Sequence, residues 1–196
     1  MEEKNYKIYD SLYNVIGVAP YEEVHTQGLL HQVVHFWLAE KKDDQLWFYL
    51  QKRSDDDIVY NGAYDILTSG HIDPEETHEE AMVHQIKEQL GLSLAKEQLT
   101  YIGHIQQQIK KDKYFDNAFV QSYLYATDHA EKDFAGAGNV VKVKFEELAA
   151  FAGNPDKKVT VYTIGGQPIE ETTHDRWWPR DKEFEKVVVP YIEKHF

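Results

Sequence analysis

The chain has 196 residues, with no cysteine and only two methionines. No apolar run approaches the roughly 18 residues that a bilayer-crossing helix needs. Without cysteine there is no disulfide frame, no thiolate nucleophile and no thiolate zinc site, which fits a reducing compartment, so a cytoplasmic protein is expected. Positive charge is also scarce: 21 Lys and Arg stand against 34 Asp and Glu, a net charge of −13. No basic stripe is present, and the summed field repels polyanions, so neither nucleic acid nor a membrane surface is an expected partner. A small phosphorylated substrate remains compatible with this field when divalent cations screen its phosphates. The opening MEEKNYKIYD has neither the basic nor the apolar region of a secretory signal. No linker or repeat divides the sequence, and a single domain over residues 1–196 is expected.

What is present is a mixture of strand and helix patterns. HQVVHFWLA at 31–39 and LWFYLQKRS at 46–54, split by the charged KKDDQ, predict an antiparallel hairpin. A loop with an Asn-Gly turn signal at 61–62 follows, then a short strand near 65–68. LTYIGHIQQQI and FVQSYLYAT predict a second strand pair, and NVVKVKF a strand leading into the helix EELAAFAG. The Pro- and Gly-rich stretch from 154 to 179 predicts an excursion over the surface. A closing helix is expected from about 180 to 196, with Phe184, Val187, Val188 and Tyr191 inward and Pro190 bending or ending it. Strands and helices in this order imply an α/β fold, a sheet with helices on both faces.

The stretch GHIDPEETHEEAMVHQIKEQLGL, residues 70–92, is the most informative. Thr77 or Asp73 is placed to cap a helix, Met82, Val83, Ile86 and Leu90 form its apolar stripe, and Gly91 ends it. At 3.6 residues per turn Gln85, Glu88 and Gln89 share the opposite face. Carboxylates one turn apart would suit a hard cation such as Mg²⁺ or Mn²⁺, which needs several converging oxygens, but two of these three positions carry an amide.

Gly70, Glu76, Glu88, Gly91 and Leu92 resemble in spacing the Nudix box: Gly, five residues, Glu, seven residues, Arg-Glu-apolar-any-Glu-Glu-any-Gly-apolar. The box's Arg is His84 here, the Glu after it is Gln85, and the last Glu is Gln89. The flanking NVIGVAPYEEVHTQGLLHQVVHFWL, LQKRS and the YD of NGAYDILTSGHI resemble the branch similar to isopentenyl-diphosphate isomerase, over about residues 6–127. The resemblance implies a Nudix-type mixed β-sheet sandwiched between α-helices. It further implies a metal site at His25, His31 and His71, the counterparts of the isomerase ligands, for which imidazole favours Zn²⁺, Mn²⁺ or Fe. The isomerase cysteine is Ser69, and its glutamate on the strand around 116–123 is missing, with Ala118 in its place. Isomerisation is therefore not expected.

The expected activity is that of a divergent Nudix hydrolase cleaving a diphosphate bond in a nucleoside diphosphate-type molecule, weakly and with Mg²⁺ or Mn²⁺. Glu88 would be the main ligand, supported by Glu76 and the Gly70 carbonyl; Gln85 and Gln89 stand where catalytic acids would. Arg53 would contact phosphate, or be an ordinary charge at a strand end. Trp177 and Trp178 would pack in the core or wall a pocket. The alternative is a catalytically silent module that binds a nucleotide or diphosphate; whether the chain is an enzyme stays open, as does its oligomeric state, a homodimer included. Gln85→Glu and Gln89→Glu are expected to return charge at little change in volume and to raise metal affinity.

Overall fold

The computed structural model describes residues 4–56, 61–154 and 156–196. They fall into two compact units, one within residues 4–35 and 68–123, the other within 36–67 and 124–196. Part of the expected loop, residues 57–60, lies outside the described residues.

The first unit opens with an antiparallel hairpin, β1 (Asn5–Tyr9) and β2 (Val15–Pro20), which sequence patterning does not separate from loop. Its turn is held by the Asp10 carboxylate, which accepts from the backbone N–H of Leu12 at 2.8 Å and of Asn14 at 3.0 Å. Helix α1 (Tyr21–Gln27) follows and stops at Gly28, whose φ of 66° is a left-handed value. A side chain at Gly28 would also collide with Phe115, since an added Cβ would lie 2.1 Å from Cδ1. Strand β3 (His31–Lys42) starts in this unit.

After β4 (Gln45–Lys52) and β5 (Tyr64–Ile66) of the second unit, the chain returns through β6 (Thr68–His71), which pairs with β3. Helix α2 (His78–Leu90) is capped by Thr77 and not Asp73: Glu80 N–H donates to Thr77 Oγ1, and Thr77 N–H donates to Glu80 Oε2 at 2.9 Å. Its buried face is Ala81, Met82 and Ile86, and Gly91 ends it with φ 69°. Strands β7 (Thr100–Lys111) and β8 (Tyr114–Thr127) form the expected pair, and β3, β8 and β7 are neighbours in that order. Val33, Ala118 and Val120 pack together, with Ile105 against them.

In the second unit the remainder of β3 pairs antiparallel with β4, with Lys42 opposite Gln45. Asp43 and Asp44 both have positive φ, 51° and 60°, the backbone that a two-residue hairpin turn demands and that Asp tolerates. The Asn-Gly turn also forms, with Gly62 at φ 65°. Next come the short α3 (Ala130–Asp133), β9 (Val140–Lys144), which pairs antiparallel with β4, and α4 (Phe145–Ala152).

The predicted surface excursion is corrected. Residues 159–172 contain a hairpin, β10 (Val159–Tyr162) and β11 (Pro168–Thr172), and Trp177 and Trp178 are buried. VTVY has the β-branched and aromatic residues of a strand, but four residues between Pro- and Gly-rich flanks make a weak signal. The closing helix needs a second correction. Short α5 (Asp181–Glu183) runs into a π-helical stretch, Phe184–Val188, and then into α6 (Val189–His195), with Pro190 in the first turn of α6. Proline has no N–H to give and its ring crowds the carbonyl four residues back; the widened π turn absorbs both effects, so the helix continues past it. Ile192, in place of Tyr191, is the buried residue there.

Candidate metal centre and box helix

Three elements of the first unit each bring one imidazole to a common point. His25 comes from α1, His31 from the first residue of β3, and His71 from the last of β6. Every pair of these rings has centroids 5.0 Å apart, and one ring nitrogen from each lies within 4.8 Å of the others. The backbone sets two tautomers. His25 Nδ1–H donates to the Tyr21 carbonyl at 2.9 Å, and His31 Nδ1–H donates to the Leu29 carbonyl at 3.0 Å. In both rings Nε2 is left as the lone-pair nitrogen, the arrangement that a metal-binding imidazole requires.

A carboxylate completes the cluster. Asp116 Oδ1 on β8 lies 3.3 Å from His31 Nε2 and 3.9 Å from His25 Nε2. Sequence reasoning looked for an acid at Ala118, which packs in the core; Asp116 is two residues away, and alternate residues of a strand share a face. Tyr6 lies on His71 with centroids 4.4 Å apart, and Tyr21 and Tyr114 lie on His25 at 4.1 and 5.1 Å. This enclosure disfavours a bare charge. Burial, reinforced by the two neighbouring imidazoles, pushes His71 down to about 3, and burial also lowers His25. His71 Nε2 is buried without a hydrogen-bond partner. Three imidazole nitrogens beside a carboxylate are a donor set that fits a divalent transition metal.

The box helix is arranged differently. His84 reaches Glu76 Oε1 through Nδ1 and Glu88 Oε1 through Nε2, each at 3.1 Å. Hydrogen bonding to Glu88, with the charges of Glu88 and Glu76 behind it, raises the His84 pKa. Glu76 and Glu88 thus meet across an imidazole that occupies the box arginine's position. Gln85 and Gln89 do not join them. They turn toward β6, where Gln89 Nε2 donates to Gln85 Oε1 at 2.6 Å and to the Ser69 carbonyl at 3.1 Å. Gly70 backs directly onto Gln85, and an added Cβ would lie 2.2 Å from its Cδ. Glu88 is thus engaged by His84, while the two glutamines on the neighbouring positions of the helix bond to each other and to β6. Among the described residues no three acids or imidazoles of this helix converge as the histidines do. Glu76 and Glu88, the two box acids, are both engaged by His84 in this arrangement. Beside the start of α2 runs a cleft of about 240 Å³, lined in part by Lys7, Gln32, Glu76 and Thr77.

Arg53 lies in the second unit. Its Nη1 donates to Asp65 Oδ2 at 3.2 Å, and its guanidinium lies 4.5 Å from the Trp178 ring centroid. Arg180 Nε donates to the other oxygen of Asp65 at 2.5 Å. Trp177 and Trp178, with Asp65 and Arg180, line a small pocket of about 30 Å³ in this unit.

The NUDIX domain model matches residues 29–164, and the chain belongs to the Nudix family. An uncharacterized Nudix hydrolase of Clostridium acetobutylicum is 28% identical over 158 residues, which is 79% of this chain and 76% of that protein. Nudix hydrolase 3 of Arabidopsis thaliana is 29% identical over 178 residues, 85% of this chain but only 22% of the plant protein, so the chain spans about a fifth of that relative. The structure of a MutT/nudix family protein from Enterococcus faecalis superposes with a TM-score of 0.51 at 13% identity, covering 84% of this chain and 62% of that one, a likeness of fold. The α/β Nudix-type fold is thus shared. Family membership supports hydrolysis of a pyrophosphate bond, and divalent metals are in general use in the family. No helix among the described residues is long and apolar enough to cross a membrane.

Proposed function

We propose that the chain is a divergent Nudix hydrolase acting on a small diphosphate-containing molecule of the nucleoside diphosphate type, with its metal held by His25, His31, His71 and Asp116. The observation that carries this reading is the convergence of the three imidazoles within 4.8 Å in a Nudix chain. It also favours the branch similar to isopentenyl-diphosphate isomerase, and a single domain, since the matched residues 29–164 draw on both units. A bound Zn²⁺ or Mn²⁺ would act as a Lewis acid on the substrate's phosphoryl oxygens. The chain's own groups orient the site: the backbone carbonyls at Tyr21 and Leu29 fix the imidazole tautomers, and Tyr21 and Tyr114 pack against His25. Glu88 and Glu76 remain proposed as acids of the box, available to Mg²⁺ or Mn²⁺ only by leaving His84. Arg53 remains proposed as a phosphate contact, and the absence of cysteine keeps a cytoplasmic location the proposal.

A second reading, a catalytically silent module that binds a nucleotide or diphosphate, is favoured by the engagement of Gln85 and Gln89 with β6 and of His84 with both glutamates. One experiment separates the two. Purified protein is assayed over a panel of nucleoside diphosphate compounds with Mg²⁺, Mn²⁺ or Zn²⁺, and binding of the same compounds is measured by calorimetry. Turnover that is lost on His71→Ala supports the hydrolase; binding without turnover under every metal supports the silent module. With Ser69 in place of cysteine, no interconversion of isopentenyl and dimethylallyl diphosphate above a no-enzyme control is expected; detectable interconversion would contradict this.

A further inference from the structure

We infer that Gln89, with Gln85, is a positioning residue for His71: the two amides clasp strand β6 and hold the imidazole at its end in register with His25 and His31. The inference rests on the metal reading of that cluster. The Gln89 amide is used at both ends. Its Oε1 accepts from the Thr68 hydroxyl at 2.7 Å, while its Nε2 donates to the Ser69 carbonyl and to Gln85 Oε1. Gln85 in turn lies flat against Gly70, the residue before His71. Three consecutive residues of β6, Thr68, Ser69 and Gly70, are thereby tied to α2, and the next residue, His71, carries the ligand nitrogen.

A glutamine is required at 89 because the position needs a donor and an acceptor together. Glutamate would keep the Thr68 contact but has no hydrogen for Ser69 or Gln85, and its charge would face two carbonyl oxygens. Gln85 only accepts from Gln89, so glutamate there preserves the contact. At the His site, as distinct from the box helix, the two Gln→Glu changes are therefore not expected to act alike. Gln89→Glu should weaken the His site more than Gln85→Glu, which keeps the acceptor oxygen that Gln89 uses.

The test compares wild type, Gln89→Glu, Gln85→Glu and Ile86→Val, the last removing a buried methyl of α2 away from the clasp. In metal-free protein, NMR reads the His71 imidazole signals, and hydrogen exchange reads the amides of residues 69–71. Co²⁺ titration then reads affinity. Gln89→Glu is expected to shift the His71 signals, speed exchange at 69–71 and weaken Co²⁺ about tenfold or more, the scale of outer-shell changes around metal ligands. Ile86→Val is expected to lower the melting temperature alone. The inference is overturned by wild-type His71 signals and Co²⁺ affinity in Gln89→Glu, by equal losses in Gln85→Glu, or by equal shifts in Ile86→Val. A wild type that takes up no Co²⁺ would sink the metal reading, while the His71 signals would still decide the clasp.

Discussion

The imidazoles of His25 and His71 and that of His84 belong to one compact unit, yet their proton affinities move in opposite directions, the first two lowered and the third raised. In the first cluster, backbone carbonyls face Nδ1 of His25 and His31, and burial lowers the proton affinity of His25 and His71 beside one carboxylate. His84 instead has a glutamate oxygen at each nitrogen and a third of its side chain in solvent. One arrangement gathers lone-pair nitrogens beside a carboxylate, and the other pairs an imidazole with two carboxylates. The same residue type, placed by different local geometry, thus has its proton affinity moved in opposite directions.

The largest effect that would sharpen this contrast is removal of a ligand. His71→Ala is expected to lower Zn²⁺ or Co²⁺ affinity by about 100-fold or more, beyond the range of outer-shell changes. His84→Ala is expected to leave affinity at the histidines unchanged. Equal losses in the two variants, measured by titration against a chelator, would erase the distinction.

Acid is the next probe. The folded value for His71, about 3, lies below the ordinary 6.5, so the unfolded chain takes up a proton first. Metal-free protein should therefore lose melting temperature as pH falls from about 6.5 toward 3 and be indifferent above. The sign for His84 is reversed. Its raised value contributes stability fully present below 6.5 and lost as pH rises through the folded value, and His84→Gln should remove that slope. A metal-free melting curve that stays level down to pH 4 would contradict the first expectation.

A smaller test checks whether α2 is an ordinary capped helix around its unusual polar side. Thr77→Ala should cost about 1 kcal/mol in denaturant unfolding, the usual value of an N-cap. The smallest effect belongs to the His84 pairs, which are partly exposed. Glu88→Gln should cost no more than about 1 kcal/mol, as screened surface pairs do. A loss of several kcal/mol would mean that the glutamate pair is structural in a way its exposure does not suggest.

What could be read in advance follows from range. The spacing of the box and the positions of His25, His31 and His71 are sequence properties, and the histidines do converge. The cap, the Gly91 stop and the first strand pair are local, and they too are found. The place of Asp116 beside His31 depends on β8 lying next to β3, a tertiary fact that the pattern of the strand does not carry. The pairing of His84 with Glu76 spans eight positions across the start of α2, beyond any helical-wheel argument. The turning of Gln85 and Gln89 toward β6 needed the close approach of Gly70, which no spacing reveals. The β10 and β11 hairpin and the π turn before Pro190 were obscured by the same residues, Pro and Gly, that usually signal a break.

The most direct measurement is a crystal grown with Zn²⁺ or Mn²⁺ and mapped by anomalous scattering at the metal's absorption edge. The account predicts one strong peak bounded by the Nε2 atoms of His25, His31 and His71 and Oδ1 of Asp116, at roughly 2.0–2.2 Å from each for zinc. A peak between Glu76 and Glu88, with none at the histidines, would contradict it.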